Sequence, residues 1–337
     1  MNDKLLSLLY HLGVVKYLRK KKMSASKNSL SILSLHRISN EQDPCWQPIS
    51  PKNFEILLQY VRQHYDIIRL SDVEKLPKKT KKPVLVLSFD DGYKDFMDYA
   101  LPLLQKYELP CNHNFVIDCL EQNATIWTQR LNAIFNHLFA QKKTATFYTA
   151  AQNPVDIDFK KANWYSLYIQ LFQQLLKTPY KERILQIRTW EEAFGLAPLQ
   201  AEMMNWADLA ACQATNLVEI GSHTYSHDSM ITLTDSPEIL RQEVEASKKM
   251  LENQLNTPIN ILALPNGQGH PIVTAAAKAA GYKILLEVGN QLNWLNPSAN
   301  FTQMQTYQRL NIINENRAAM LLRVEFFQPR MQQLLRR

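Results

Sequence analysis

Cysteine is scarce and unpatterned. Four residues, Cys45, Cys111, Cys119 and Cys212, are scattered through 337 positions with no Cys-x-x-Cys pair. That excludes a zinc knuckle and a disulfide framework, and leaves buried or free thiols of a reducing compartment. No stretch reaches the roughly 18 apolar residues that a membrane span needs. Internal repeats and low-complexity segments are missing. So is any alternation of basic and aromatic residues of the kind a nucleic-acid surface uses, and nucleic acid is not an expected partner. The net charge of +7 (38 basic minus 31 acidic) leaves an anionic membrane surface as the other reading of a basic chain. What remains is ordinary globular composition, 46% hydrophobic and 20% charged, long enough for one large domain or two modest ones.

A secretory pattern is lacking too. Leu5, Leu8, Leu9, Leu12, Val15 and Leu18 fall on one helical face, and Lys16, Arg19, Lys20, Lys21 and Lys22 follow. A leader carries its charge before the apolar core and a small-residue cleavage site after it. Here the charge trails and His11 interrupts the core. Residues 1–29 therefore read as an amphipathic basic helix, over about 4–22, and a polar link. The helix either lies on an anionic leaflet or packs on the protein's own body. The expectation is a cytoplasmic protein, peripheral on the inner membrane face if the helix meets lipid.

Short apolar strands and helical stretches then alternate. Strands are expected at 30–35, 84–87, 113–117, 217–220, 259–264 and 284–286. Helices are expected at 51–64, opened by Ser50-Pro51, at 93–106, 237–255 and 274–280, and basic and helical at 313–337. Alternation of this kind predicts parallel βα units. Residues 120–205 differ: rich in Gln, Lys, Leu and aromatics, with helical spacing and no catalytic cluster, they read as a helical insertion acting as a lid or substrate wall.

Chemistry gathers at strand ends. Ser88-Phe89-Asp90-Asp91-Gly92 closes the strand 84–87. A helix cap accounts for one aspartate. Two adjacent carboxylates behind a buried strand repel unless a cation or proton separates them. Gly221-Ser222-His223-Thr224-Tyr225-Ser226-His227 follows another strand, and its two imidazoles converge on one ion if the loop makes a helical turn. Two His and one Asp would leave coordination positions open, the pattern of a catalytic rather than a structural metal site. Pro265-Asn266-Gly267 ends a third strand and presents backbone N–H groups, either as half an oxyanion hole or as a plain turn. His36, at the end of 30–35, is a candidate general acid or a hydrogen-bonded structural histidine.

Ser-Phe-Asp-Asp-Gly (88–92), His-Thr-Tyr-Ser-His (223–227) and Pro-Asn-Gly (265–267), in this order, resemble the first three motifs of the polysaccharide deacetylases, carbohydrate esterase family 4. Leu-Ser-Leu-His-Arg-Ile (33–38) is similar to the opening strand of a subgroup that includes bacterial poly-N-acetylglucosamine deacetylases. The resemblance implies an α/β fold: a distorted (β/α) barrel of about seven strands in circularly shifted order, spanning 30–312 and interrupted by the insertion. It implies a divalent metal, usually zinc, with cobalt, nickel or manganese as substitutes, and removal of N-acetyl groups from an amino-sugar glycan or a lipid-linked or oligosaccharide precursor. By position, Asp90 is the general base, Asp91, His223 and His227 are the metal ligands, and the Asn266 N–H helps hold the oxyanion. The late stretch Arg309-Leu310-Asn311-Ile312 lacks the family's histidine, so His36 takes the general-acid role. Ala263 or Leu264 stands where the family has an arginine; Arg309 or Arg37 would replace it, and with Pro265 these two are expected beside the substrate. An O-deacetylase or amidase on another sugar, or an inactive glycan-binding relative, are the competing readings.

Overall fold

The computed structural model describes residues 3–23, 29–77, 79–122, 124–149, 153–197, 199, 203–289, 291–295 and 303–326. Its centre is a ring of parallel strands: β1 (Ser29–Leu35), β2 (Val84–Phe89), β3 (Cys111–Phe115), β4 (Val218–Ser222), β5 (Ile261–Ala263), β6 (Ile284–Val288) and β7 (Gln305–Asn311). Each pairs with the next, and β7 returns to β1 through Leu33 opposite Leu310 and Ser34 opposite Asn311. The result is a closed seven-stranded (β/α) barrel within a nine-stranded sheet, whose other members are the short pieces Asp66–Ile67 and Asn293–Trp294. The strand that opens the barrel in sequence also seals it.

Why these residues make a barrel follows from alternation. Neighbouring side chains on a strand face opposite sides. One set, including Leu33, Leu35, Leu85, Leu87 and Phe89, packs against the surrounding helices. The other set, Leu30, Ile32, Val84, Val86, Ala263 and Leu286, packs in a separate cluster. Both faces are buried, which is why the strands read as nearly continuous apolar runs. Along the second set the character changes toward the carboxyl ends. Leu30 and Ile32 give way to Ser34 and His36, Val84 and Val86 to Ser88 and Asp90, and Tyr307 to Arg309 and Asn311. The barrel is apolar at one end of its interior and polar at the other, the end where barrel enzymes carry their chemistry.

The segment read as a helical insertion holds the helices Trp127–Gln141, Trp164–Leu176 and Tyr180–Ala193, but also an antiparallel hairpin of Thr144–Tyr148 and Pro154–Asp158 that helical periodicity does not announce. It has its own apolar core, built around Leu131, Phe135, Phe147, Ile157, Leu171 and Trp190.

The N-terminal helix expected over 4–22 is two helices, Asp3–His11 and Val14–Met23, separated at Gly13, whose φ of 78° breaks the helical path. Leu6, Val15 and Leu18 are buried, with Leu6 and Val15 packed against Ala319 and Leu322 of the helix Arg317–Val324. Lys22, expected on the basic face, is drawn inside, where Nζ lies 3.0 Å from Glu325 Oε2 while the hydroxyls of Tyr60 and Tyr65 donate to Oε1 at 2.7 and 2.6 Å. Leu5, Leu8 and Leu12 remain exposed. The apolar residues therefore divide between two faces rather than sharing one. Of the helix expected over 313–337, residues 317–324 are helical, and 327–337 lie outside the described residues. No described helix is long and apolar enough to cross a membrane. All four cysteines are free and buried.

Candidate active site

At the polar end of the barrel, β2 delivers Asp90 and Asp91 into a sharp turn. Asp91 itself adopts a left-handed conformation (φ 75°), followed by Gly92 (φ 85°). Its φ of 85° favours glycine, and a Cβ there would press on the Phe115 ring at 3.0 Å. From β4 come His223 and His227. The loop between them is not the helical turn expected from the spacing. Left-handed residues at Thr224 (φ 68°) and His227 (φ 59°) fold it back, leaving the two imidazole centroids 5.0 Å apart. Strain of this kind, held by the surrounding structure, is common where function fixes a geometry.

Asp91 Oδ1 lies 3.3 Å from His223 Nε2 and 3.4 Å from His227 Nε2. Asp91, His223 and His227 are buried, and each offers a ligand atom within 4.8 Å of the others. Three further features suit this set to an ion. Asp91 Oδ1 is buried and accepts no hydrogen bond. His223 Nδ1 lies 2.8 Å from the carbonyl oxygen of Ala263, which takes its proton and leaves Nε2 with a free lone pair, as a metal-bound imidazole requires. Burial lowers His227 to about 4, so it is neutral and ready to ligate near pH 7. Burial would lower His223 as well, but Asp90 and Asp91 carry it above its ordinary value.

Asp90 is held differently. Its Oδ1 accepts hydrogen bonds from Arg309 Nη1 at 2.7 Å and from Asn114 Nδ2 at 2.8 Å. Its Oδ2 faces His36 Nε2 at 3.8 Å and His223 Nε2 at 4.0 Å. Burial alone would raise the carboxyl; Arg309, then His223 and His36, outweigh it and hold Asp90 well below the usual carboxylate range. The Arg309 guanidinium is itself buried. It comes from β7, across the barrel, and takes the place beside Asp90 that neither Ala263 nor Leu264 can fill. Asn114 belongs to a small amide ladder with Asn112 and Ser88. It fits because β4 has glycine opposite: a Cβ on Gly221 would sit 2.1 Å from Asn114 Oδ1.

His36 stands at the end of β1, its ring edge-on to Trp46 with centroids 4.8 Å apart. Burial lowers its pKa, against the pull of Asp91 and Asp90. Asn266 (φ 58°) sits at the turn after β5 with its side-chain Nδ2 buried and unpartnered. His36, Asp90, Asp91, His223, His227, Asn266 and Arg309 all line one cavity. Two expected residues do not. Arg37 turns to Asp95, with Nε 2.9 Å from Oδ2, and to Glu41, and its guanidinium lies over the Tyr93 ring. Pro265 is buried in the turn and is not part of the cavity wall. Arg37 follows His36 in extended chain just beyond β1, so it points to the opposite face, where Asp95 and Glu41 supply its carboxylates.

The far side of the cavity belongs to the insertion, through Thr128, Asn132, Tyr165, Tyr168, Ile169 and Phe172. Two contacts tie that insertion to the loop of His227. Trp127 Nε1 donates to the His227 carbonyl at 3.2 Å. Arg183 Nη1 donates to Asp228 Oδ1 at 2.7 Å, with both side chains buried and the guanidinium over the Trp127 ring. Sequence reading expected the insertion to act as a lid or substrate wall but named none of these residues, and it did not single out Asn114 or Asn311. Asn112 and Asn114 carried a signal nonetheless: two amides spaced by two in a buried strand must share a face.

A closed βα barrel with buried carboxylates and imidazoles at the carboxyl ends of its strands defines a barrel enzyme. The family follows from comparison. A family model described as polysaccharide deacetylase matches residues 77–285, more than half of the chain, and the chain belongs to that family. Solved structures with the same fold include the Streptococcus pyogenes deacetylase PplD in complex with acetate (16% identity, 89% of this chain and 99% of that one covered, TM-score 0.56). IcaB from Ammonifex degensii is another (15%, 89% and 97%, 0.56), as is a de-N-acetylase from Aggregatibacter actinomycetemcomitans (16%, 85% and 95%, 0.52). No curated protein matches the chain. The protein is a deacetylase of the carbohydrate-processing kind.

Proposed function

We propose that this deacetylase is metal-dependent and removes the N-acetyl group of an amino sugar, in a glycan or in an oligosaccharide or lipid-linked precursor. The observation that supports this best is the division of labour between two adjacent aspartates. Asp91 faces two imidazoles and is free of hydrogen bonds at Oδ1, whereas Asp90 is anchored at one oxygen and open at the other. Asp91, His223 and His227 would hold the ion; bound there, a divalent metal, zinc by family precedent, supplies Lewis-acid polarisation and activation of water. Asp90 takes the water's proton at Oδ2, because Oδ1 is occupied by Arg309 and Asn114. Asn266 offers N–H to the carbonyl oxygen as charge builds on it. His36 passes a proton to the leaving nitrogen. The C–N bond breaks, a C–O bond forms, and acetate and a free amine result. Among the structural neighbours, one is described as a de-N-acetylase and one holds acetate, in keeping with this reaction.

Acetate release from N-acetylglucosamine oligomers, with chelator-treated and zinc-restored protein, tests the reading. Activity that disappears and returns with zinc is expected. Equal activity without metal contradicts it, and a faster release from O-acetylated sugars would move the assignment to an esterase.

The N-terminal helices support a proposed peripheral contact with the inner membrane face. Leu8 and Leu12, 54% and 70% exposed, stand with Leu5 and Tyr17 on the outer side of the pair, beside the exposed Lys16, Lys20 and Lys21. Apolar residues flanked by lysines suit an anionic leaflet. Sedimentation with anionic but not zwitterionic vesicles, weakened by Leu12→Ser, is the expected outcome; equal recovery with both vesicles removes the contact.

A further inference from the structure

The cavity over Asp91, His223 and His227 has a volume of 390 Å³, near the small end of the roughly 300–1,000 Å³ of ligand pockets. Its two halves are chemically unlike. The barrel half carries polar atoms that nothing in the protein satisfies. Nδ2 of Asn266 and Oδ1 of Asn311 are both shut off from solvent, both without a partner, and both residues line the cavity. Asp91 Oδ1, His227 Nδ1 and Arg309 Nε, on residues that line the same cavity, are also buried and unpartnered, and such a concentration in one cavity points to a ligand. The insertion half is mostly aromatic and apolar, and includes Thr128 and Asn132. Tyr165, Ile169 and Phe172 are spaced by four and three on the helix Trp164–Leu176, so they share the face that looks into the cavity.

We propose that this pocket takes one terminal acetamido-sugar residue, so that the enzyme works at a chain end or on a short precursor and not along the interior of a polymer. A pyranose is polar around its edge and carries C–H groups on its face. Its edge, acetamide included, meets the amides of Asn266 and Asn311. Its face lies on the rings of Tyr165 and Phe172. An interior sugar would need the cavity open on both sides for the chain to pass. The insertion stands across one side, and it is pinned by the Arg183–Asp228 ion pair and by the Trp127 bond to His227, both beside the proposed ion. Asn311 thereby becomes a specificity residue in the place where the family's late histidine is absent. This proposal rests on the deacetylase reading above and refines its substrate.

The test uses the full chain loaded with zinc. Acetate release is measured on N-acetylglucosamine oligomers from one sugar to a hexamer and on the long polymer, and the freed amine is located by mass spectrometry. A kcat/KM that stays level beyond the shortest oligomers, with the amine at a chain end, is expected. A kcat/KM that climbs with length, with amines inside the chain, overturns the proposal. No acetate from any length overturns the deacetylase reading and the proposal together, so the two failures are told apart. Phe172→Ala and Asn311→Ala are each expected to raise KM for short substrates roughly tenfold, the scale of one lost contact in a specificity pocket. Phe172→Ala should also raise the polymer-to-oligomer ratio of kcat/KM. An unchanged ratio counts against the wall, and if that variant does not fold, the end analysis on the unaltered protein decides.

Discussion

The two halves of the active-site cavity are built by opposite means. On the barrel side, polar groups are fixed by short bonds between strands: Arg309 from β7 and Asn114 from β3 both grip the Asp90 that ends β2. On the insertion side, position comes from a separate apolar core of helices and a hairpin, clamped to the loop of His227 by a buried ion pair and an indole N–H. The difference teaches where rate and choice reside. Changes at Asp90, Asp91, His223, His227 or Arg309 should alter chemistry with little effect on which substrate is taken, whereas Asn311 in the same half bears on selection. Changes in the insertion half should alter stability or selection and leave the chemistry standing.

The largest effect is expected from Asp91→Ala or His223→Ala, which removes one of three donors. Bound metal and acetate release should both fall to background, read by elemental analysis and by assay. Next is Asp90→Asn, which keeps the donors and removes the proton acceptor. A loss of roughly 10²–10⁴ in kcat with metal content unchanged is the expected outcome. Normal turnover would shift the base elsewhere and erase the contrast between the two aspartates.

Arg309→Met should cost less in rate, about 10–100-fold as for other groups that orient a reactive one, but it carries a pH signature. Asp90 must be ionised to act. With Arg309 its pKa lies well below the ordinary value, so no acid limb from this group is expected in the working range. Without Arg309 the largest influence that lowers it is gone and the pKa rises. The kcat/KM profile should then fall on the acid side at a higher pH than in the unaltered protein, and an unmoved profile would reject this arrangement. The smallest effect on chemistry belongs to the clamp. Asp228→Ala leaves Arg183 buried without its carboxylate partner, and breaking such pairs costs about 3–5 kcal/mol of stability. Thermal unfolding should record that loss, while kcat for short substrates below the new melting range should stay within about threefold. A collapse of kcat with stability intact would mean that the insertion takes part in the chemistry.

The contrast also explains what could be read from the residues alone. Asp90-Asp91, the His223–His227 pair and the turn at Asn266 are each contiguous, and each ends a strand whose apolar run is equally local. Alternation of strands and helices indicated parallel βα units, and the order of the motifs carried the family resemblance that implied the barrel. The partners of those groups were harder. Arg309 lies 219 residues from Asp90, and only closure of β7 onto β1 brings it there; Arg37, nearer in sequence, goes to Asp95 because it faces the other side of the extended chain. The insertion was legible as helical but its hairpin was not, since Thr144–Tyr148 is brief and half of it is exposed. At the N-terminus, apolar spacing marked one face, yet Gly13 splits the helix and Leu6 rather than Leu5 is buried. Periodicity registers amphipathic character; it does not say which side a neighbouring helix will cover.

The assignment of separate tasks to neighbouring carboxylates is tested most directly by zinc content per chain in Asp90→Asn and Asp91→Asn, prepared side by side and dialysed against the same metal-free buffer. The account predicts about one zinc retained by the Asp90 variant and close to none by the Asp91 variant. Equal retention by both, or loss from the Asp90 variant alone, would contradict it.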